Sequence, residues 1–149
     1  MIQRPSRPFT ATPSAAPIIR AMKIFRGEGV PLQRVDPKSF VGSAHVRKLA
    51  EHSEGTPVIV YHVEFEPGAR TNWHLHSGPQ WLLITEGRIR IQKWGEAAQE
   101  VGAGDAVMIA PNEKHWHGAA PGQRGVHLAV NVDVMTEWLE SVTDEEYGR

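Results

Sequence analysis

The sequence contains no cysteine. That one absence excludes disulfides, zinc–thiolate sites and thiol nucleophiles. No apolar run approaches the ~18 residues that a membrane-spanning helix needs, so no membrane partner is expected. Charge of one sign is not in excess: 16 Lys and Arg stand against 17 Asp and Glu, a formal net charge of -1. Contact with nucleic acid or an anionic surface calls for a basic surplus, so neither is expected. The lack of cysteine fits a cytoplasmic protein, which is the expected location. The chain is short, 149 residues, and one domain is expected. That length buries roughly two-thirds of the unfolded chain's surface.

Acidic residues are missing from the start of the chain. Residues 1–22, MIQRPSRPFTATPSAAPIIRAM, carry Pro5, Pro8, Pro13, Pro17, Arg4, Arg7 and Arg20, and the first acid is Glu28. This composition predicts a flexible tail over 1–22, ahead of a domain over 23–149. A transit peptide, or a start codon placed upstream of Met22, has the same look. There is no apolar core of a secretory signal.

What is present is turn chemistry and alternation. The 14 Gly and 11 Pro suit a fold with many tight turns. Strand signals run through VIVYHVEFE (58–66), WLLI (81–84), RIRIQKW (88–94), GDAVMIAP (104–111), HWHGAA (115–120) and VHLAVNVD (126–133). Strands at roughly 8–12-residue spacing, punctuated by Gly and Pro, predict an all-β sandwich or barrel. Only MTEWLESVTDEEY (135–147) reads as helix, with Thr136 as cap and Met135, Leu139 and Val142 at helical spacing.

Eight histidines are present, and five of them (74, 76, 115, 117, 127) fall on predicted strands. His74 and His76 are two apart, as are His115 and His117, which is the parity of one strand face. A small barrel has a single interior, so these five and Asn131 can converge there. Imidazoles suit first-row metals from Mn to Zn, and three of them leave positions open for water or substrate. Gln80 can add a neutral oxygen. A lone H-x-H is common on half-exposed strands; the joint spacing carries the argument. His45, His52 and His62 read as ordinary surface residues. Trp73 and Trp81 read as packing residues. Trp116, between two inward histidines, should point outward and be covered by a second subunit.

The same residues resemble the cupins. Their first motif is G-x5-H-x-H-x3/4-E-x6-G; here Gly68, His74, His76, Gln80 and Gly87 match it, with Gln80 in place of the usual Glu. The second is approximately G-x5-P-x-G-x2-H-x3-N; Gly104, Pro111 and His115 follow it with one extra residue, and Ala119 stands where Asn is usual. The resemblance implies a double-stranded β-helix, the jelly-roll barrel of that family, here with a short C-terminal helix. The stretches EPGARTNWHLH, EKHWHGAAP and HLAVN are similar to a small bacterial group that includes manganese-dependent hydroxynitrile lyases.

That similarity implies one divalent metal per chain, Mn foremost and Fe, Ni, Zn or Cu as alternatives. His74, His76, Gln80 and His115 would be its ligands. His117, His127 and Tyr61 would handle protons, and Val63, Thr71 and Asn131 would line the pocket beside Tyr61. A small-molecule substrate and a homodimer or homotetramer are expected. The function that follows is a hydroxynitrile-lyase-like carbon–carbon lyase. A cupin dioxygenase and a non-catalytic ligand-binding cupin stay open, because the fold hosts all three.

Overall fold

The computed structural model describes residues 21–148. Nearly all of the tail expected over 1–22 therefore lies outside the described residues. The first five strands are β1 (Gln33–Arg34), β2 (Phe40–Val41), β3 (Ala44–His52), β4 (Val58–Phe65) and β5 (Arg70–Thr71). Four more follow, β6 (His74–His76), β7 (Gln80–Lys93), β8 (Gln99–Gly102) and β9 (Ala106–Ile109). The chain then runs through β10 (His115–Ala119), β11 (Gly125–Val132), β12 (Thr136–Trp138) and a short helix α1 (Asp144–Tyr147).

The strands form two antiparallel layers that share one strand. The first half of β7 pairs with β11 and β9, and β11 continues to β4, β3 and β1. The second half of β7 pairs with β10 and β8, and β10 continues to β5, β2, β6 and β12. The sequence suggests two strands, 81–84 and 88–94, split at Gly87. The structure has one, bent there. Gly87 has φ +63°, and an added Cβ would lie 1.9 Å from Arg124 O. Only glycine takes both that backbone angle and that approach, so β7 passes from one layer to the other without ending.

Alternation along each strand sets the interior. Phe65, Ile84, Ile89 and Ala119 are buried and fill one end of the barrel. Further along the same strands the inward residues turn polar: His127 and Asn131 on β11, Gln80 on β7, His115 and His117 on β10, all buried.

Two expectations need correction. Residues 135–147 are not one helix. Thr136–Trp138 is strand, paired with the β6 edge through Thr136–His76 and Trp138–His74, and helix begins only at Asp144. The unpaired edge of β6 offers backbone partners to Thr and Trp, both good strand formers, and that outweighs a weak helical period. The cap is Thr143, in a capping box with Glu146.

Trp116 does point out of the barrel, but no second subunit is needed to cover it. It is fully buried beneath the chain's own C-terminal segment, in a cluster with Trp73, Val142 and Tyr147. Arg70 ties that segment down through Val142 O at 2.6 Å and Asp144 at 2.8 Å.

Gly118 marks the tightest contact between β10 and β5. An added Cβ would meet Ala69 O at 2.3 Å and Arg70 Cα at 2.5 Å. Gly118→Ala is expected to cost about 3 kcal/mol or more, the upper range for overpacking against backbone, and equilibrium urea unfolding measures it. A loss below about 0.5 kcal/mol, the level of a neutral surface change, would mean β5 is free to move. Thr71, on β5, accepts the backbone N–H of His117 at 3.2 Å, so this contact also fixes the site.

Candidate metal centre

The polar end of the barrel opens into a cavity of about 370 Å³. His74, His76, Gln80, His117, His127 and Asn131 line it. Tyr61, Val63 and Thr71 face the same space. His115 is buried beside His74, their ring centroids 4.2 Å apart. Every site residue expected from the sequence is thus gathered at one place. His45, His52 and His62 stay on β3 and β4, partly exposed.

The hydrogen bonds decide which ring nitrogen each histidine shows to the cavity. His74 Nδ1 lies 2.8 Å from Asn72 O, and His115 Nδ1 lies 2.8 Å from Glu113 O. A carbonyl only accepts, so in each ring Nδ1 carries the proton and Nε2 keeps a lone pair. His76 Nδ1 lies 2.8 Å from Thr136 Oγ1. Gln80 Nε2 donates to Asn131 Oδ1 at 2.7 Å, which turns Gln80 Oε1 the other way. His76 Nε2, Gln80 Oε1 and His115 Nε2 are all buried with no partner. Several buried polar atoms without partners cost several kcal/mol unless something binds them. A divalent cation fits: the donors are neutral, nitrogen and oxygen, with His76 and Gln80 lining the cavity and His115 beside His74, which also lines it.

Among the described residues, ligand nitrogens of His74, His115 and His117 all lie within 4.8 Å of one another. His76 stands just outside this trio, its ring centroid 5.0 Å from that of His74 and 5.5 Å from that of His115. His117 differs from the others in its partner: its Nδ1 lies 2.9 Å from His127 Nε2. Two imidazoles can exchange the shared proton. Either His117 Nδ1–H donates and Nε2 is a base, or His127 Nε2–H donates and His117 Nε2–H is an acid. His117 Nε2 and His127 Nδ1 are otherwise unpartnered.

Burial keeps the whole set neutral. It holds His74 and His117 well below the ordinary imidazole value, His115 and His127 respectively adding to the effect. Burial, then His115, pushes His76 down to about 4, and burial pushes His127 down to about 3. His115 is lowered by the same cause. Lone pairs are therefore available at pH 7.

Three participants were not singled out in the sequence. Thr136 reads there as a helix cap, yet it holds His76. Trp138 packs against His74 with ring centroids 4.6 Å apart, and Phe40 lies 5.9 Å from Trp138 at the cavity wall. The T-x-W alternation of β12 is the only signal that could have found the first two.

A two-layered antiparallel barrel with a buried histidine cluster at its polar end is a metal-binding β-barrel of the double-stranded β-helix class. The chain belongs to the cupin family, whose model, described as a cupin domain, matches residues 61–134. It is 42% identical over 113 residues to the (R)-mandelonitrile lyase of Granulicella tundricola, a match spanning 74% of this chain and 86% of that one. A solved cupin-like protein of Thermotoga maritima is 40% identical, with a TM-score of 0.71 over 76% of this chain and 89% of its own. The polyketide cyclase RemF of Streptomyces resistomycificus shares the fold at 22% identity, with a TM-score of 0.67 over 85% of this chain and 91% of its own. The chain is thus a homologue of a carbon–carbon lyase, with a buried three-histidine site that fits a divalent metal.

Proposed function

We propose that this protein is a metal-dependent lyase that cleaves, and in reverse forms, the C–C bond of a cyanohydrin. The observation that carries the reading is the donor set. His76 Nε2, His115 Nε2 and Gln80 Oε1 are buried and unpartnered, His74 stands beside them, and a separate pair, His117 and His127, shares a proton. We assign His74, His76, Gln80 and His115 to the metal, and His117 and His127 to proton transfer. His117 stands within 4.8 Å of His74 and His115, but its tautomer is set by another imidazole and can switch. That is what a proton carrier needs and a fixed ligand does not.

A bound divalent metal supplies a Lewis acid for negative charge developing on the substrate oxygen. The chain's residues do the rest. His117 Nε2 takes the hydroxyl proton, while its Nδ1–H is held by His127 Nε2 at 2.9 Å. The C–C bond breaks, the carbon becomes a carbonyl carbon, and the electron pair leaves with cyanide. The proton on His117 then passes to cyanide, so the pair ends neutral. Val63, Phe40 and Trp138 give the cavity apolar and aromatic walls, which suit an aryl group. Tyr61, at the same wall, narrows the pocket and is a second candidate acid.

Manganese is the proposed metal on the resemblance to the manganese-dependent hydroxynitrile lyases; a set of imidazole nitrogens and a neutral oxygen equally admits Fe, Ni, Zn or Cu. The cytoplasm is the proposed location, on the lack of cysteine. Self-association draws support from Trp81, Leu83 and Met108, which stay exposed close together on the outer face of the first layer.

Elemental analysis of the purified chain, followed by cleavage of racemic mandelonitrile in air and under argon, tests the reading. Expected are about one metal per chain, as in three-histidine catalytic sites, and equal rates of benzaldehyde release with and without oxygen. Oxygen-dependent turnover would replace the lyase with a dioxygenase. Absence of metal uptake would remove the centre.

A further inference from the structure

Three of the proposed ligand histidines have Nδ1 engaged, and they differ in how. His74 and His115 each meet the carbonyl two residues back, Asn72 O and Glu113 O. Those acceptors are backbone and local, so no side-chain substitution removes them. His76 alone depends on a side chain, Thr136 Oγ1, from a segment 60 residues further on.

We propose that Thr136 is a positioning residue of the metal centre: its hydroxyl accepts the Nδ1–H of His76 and so fixes the His76 tautomer that presents a bare Nε2 to the metal. The inference rests on the reading of His76 as a ligand.

A hydroxyl, unlike a carbonyl, can also donate, and then Nε2–H would face the cavity and block the metal. Thr136 is exposed, so its own proton has water to go to, which leaves its lone pair for His76. The backbone holds the hydroxyl in place. Thr136 pairs with His76 and Trp138 with His74 across β12 and β6. Ser77 adds two more ties, its N–H donating to Met135 O at 2.9 Å and its Oγ accepting from Met135 N–H at 2.7 Å. Beyond them, Leu139 N–H donates to Trp73 O, and Trp73 N–H to Glu140 O, at 2.8 and 2.9 Å. Trp138 packs on the His74 ring. The C-terminal segment is therefore part of the centre: β12 holds the His76 ring nitrogen and packs on the His74 ring.

Thr136→Val keeps the β-branched shape and strand propensity and removes the acceptor; Thr136→Ser restores it. Two readouts apply to the full chain: Mn²⁺ affinity by chelator competition, and the His76 tautomer by long-range ¹H–¹⁵N correlation on the metal-free protein. The wild type and Thr136→Ser should show His76 as the Nδ1–H tautomer and bind Mn²⁺ alike. Thr136→Val should mix the tautomers and weaken Mn²⁺ binding by about 10–100-fold, as for loss of other groups that orient a metal ligand. Unchanged tautomer and affinity in Thr136→Val would overturn the proposal. So would a Thr136→Ser protein that folds but stays as weak as Thr136→Val. His76→Ala separates this from the reading beneath it. If His76→Ala binds Mn²⁺ as wild type does, the ligand assignment of His76 fails. If it loses the metal while Thr136→Val does not, only the positioning role fails.

Discussion

His115→Ala is expected to lose both metal and turnover, while His127→Ala keeps the metal and loses turnover. The two residues look alike in the sequence, each a histidine on a strand. They differ in what their nitrogens face. His115 has Nδ1 held by Glu113 O and Nε2 buried and free, so under the proposed assignment its removal takes a ligand from the metal. The metal content should fall from about one per chain to a small fraction of that. Activity should fall by at least about 10²–10³-fold, the scale for losing a group that stabilises charge in the transition state.

His127 lines the cavity but stands outside the proposed ligand set, and its hydrogen bond there is to His117, at 2.9 Å. Without it His117 Nδ1 has no partner, and the proton taken at Nε2 is no longer supported. A loss of about 10²–10⁴-fold in kcat/KM is expected, as for other acid–base groups, with metal content unchanged. Both variants leave cavities, so metal is counted per folded chain, with circular dichroism as the measure of folding. Full metal in His115→Ala would overturn the ligand assignment of His115. Full turnover in His127→Ala would show that His117 works alone or not as a base.

Metal-free protein is expected to lose stability steeply as pH falls below about 6.5, the ordinary histidine value. The folded chain holds its site imidazoles neutral: His76 is pushed down to about 4, His127 to about 3, and His74, His115 and His117 are lowered by the same burial. The unfolded chain protonates them near the ordinary value. Below that pH the unfolded state therefore binds more protons, and stability falls as pH falls. The contribution is complete above about pH 6.5 and is lost through the window down to the folded values. Each imidazole contributes a slope of at most about 1.4 kcal/mol per pH unit.

Between pH 6.5 and 5 the histidines act nearly alone. Glu64, Glu113 and Glu140 are lowered below the usual carboxylate range, so they join only at lower pH. Thermal melting of chelator-treated protein at pH 7.5, 6.5, 5.5 and 5.0 reads the effect. A fall in Tm of about 10 °C or more between pH 6.5 and 5.0 is expected, from several kcal/mol at 2–4 °C per kcal/mol for a chain this size. A flat Tm over that window would mean that the imidazoles are solvated or already charged in the folded state. With metal bound, protons and metal compete for the same nitrogens, so Mn²⁺ should dissociate in the same range.

The β-rich fold was legible because strand alternation and Gly/Pro turns are local. The H-x-H parity at 74/76 and 115/117 placed those side chains on inward faces, and the register bears that out: His115 pairs with His74 across β10 and β6. The errors came where the pairing partner decided the outcome. Residues 135–147 carry a weak helical period, but the edge of β6 drew Thr136–Trp138 into a strand. The true helix start was local and visible in TDEE, as Thr143 with Glu146 three residues on, a capping box. Parity places Trp116 on the outward face but says nothing of what lies above it. What lies there is Tyr147, 5.7 Å away between ring centroids, on the chain's own last turn.

The chain's order of residues therefore determined by itself which side chains face inward, which of them can bind a metal, and that none is a thiol. Those are properties of residue type and of a two-residue period, and both are local. Only the tertiary structure decided which nitrogen each histidine presents. Asn72 O and Glu113 O fix two of them from nearby, Thr136 meets the third from 60 residues away, and His127 meets His117. An imidazole has two nitrogens of nearly equal basicity, and a hydrogen-bond partner selects between them. That partner is chosen by strand pairing across the barrel, which no single stretch of sequence contains.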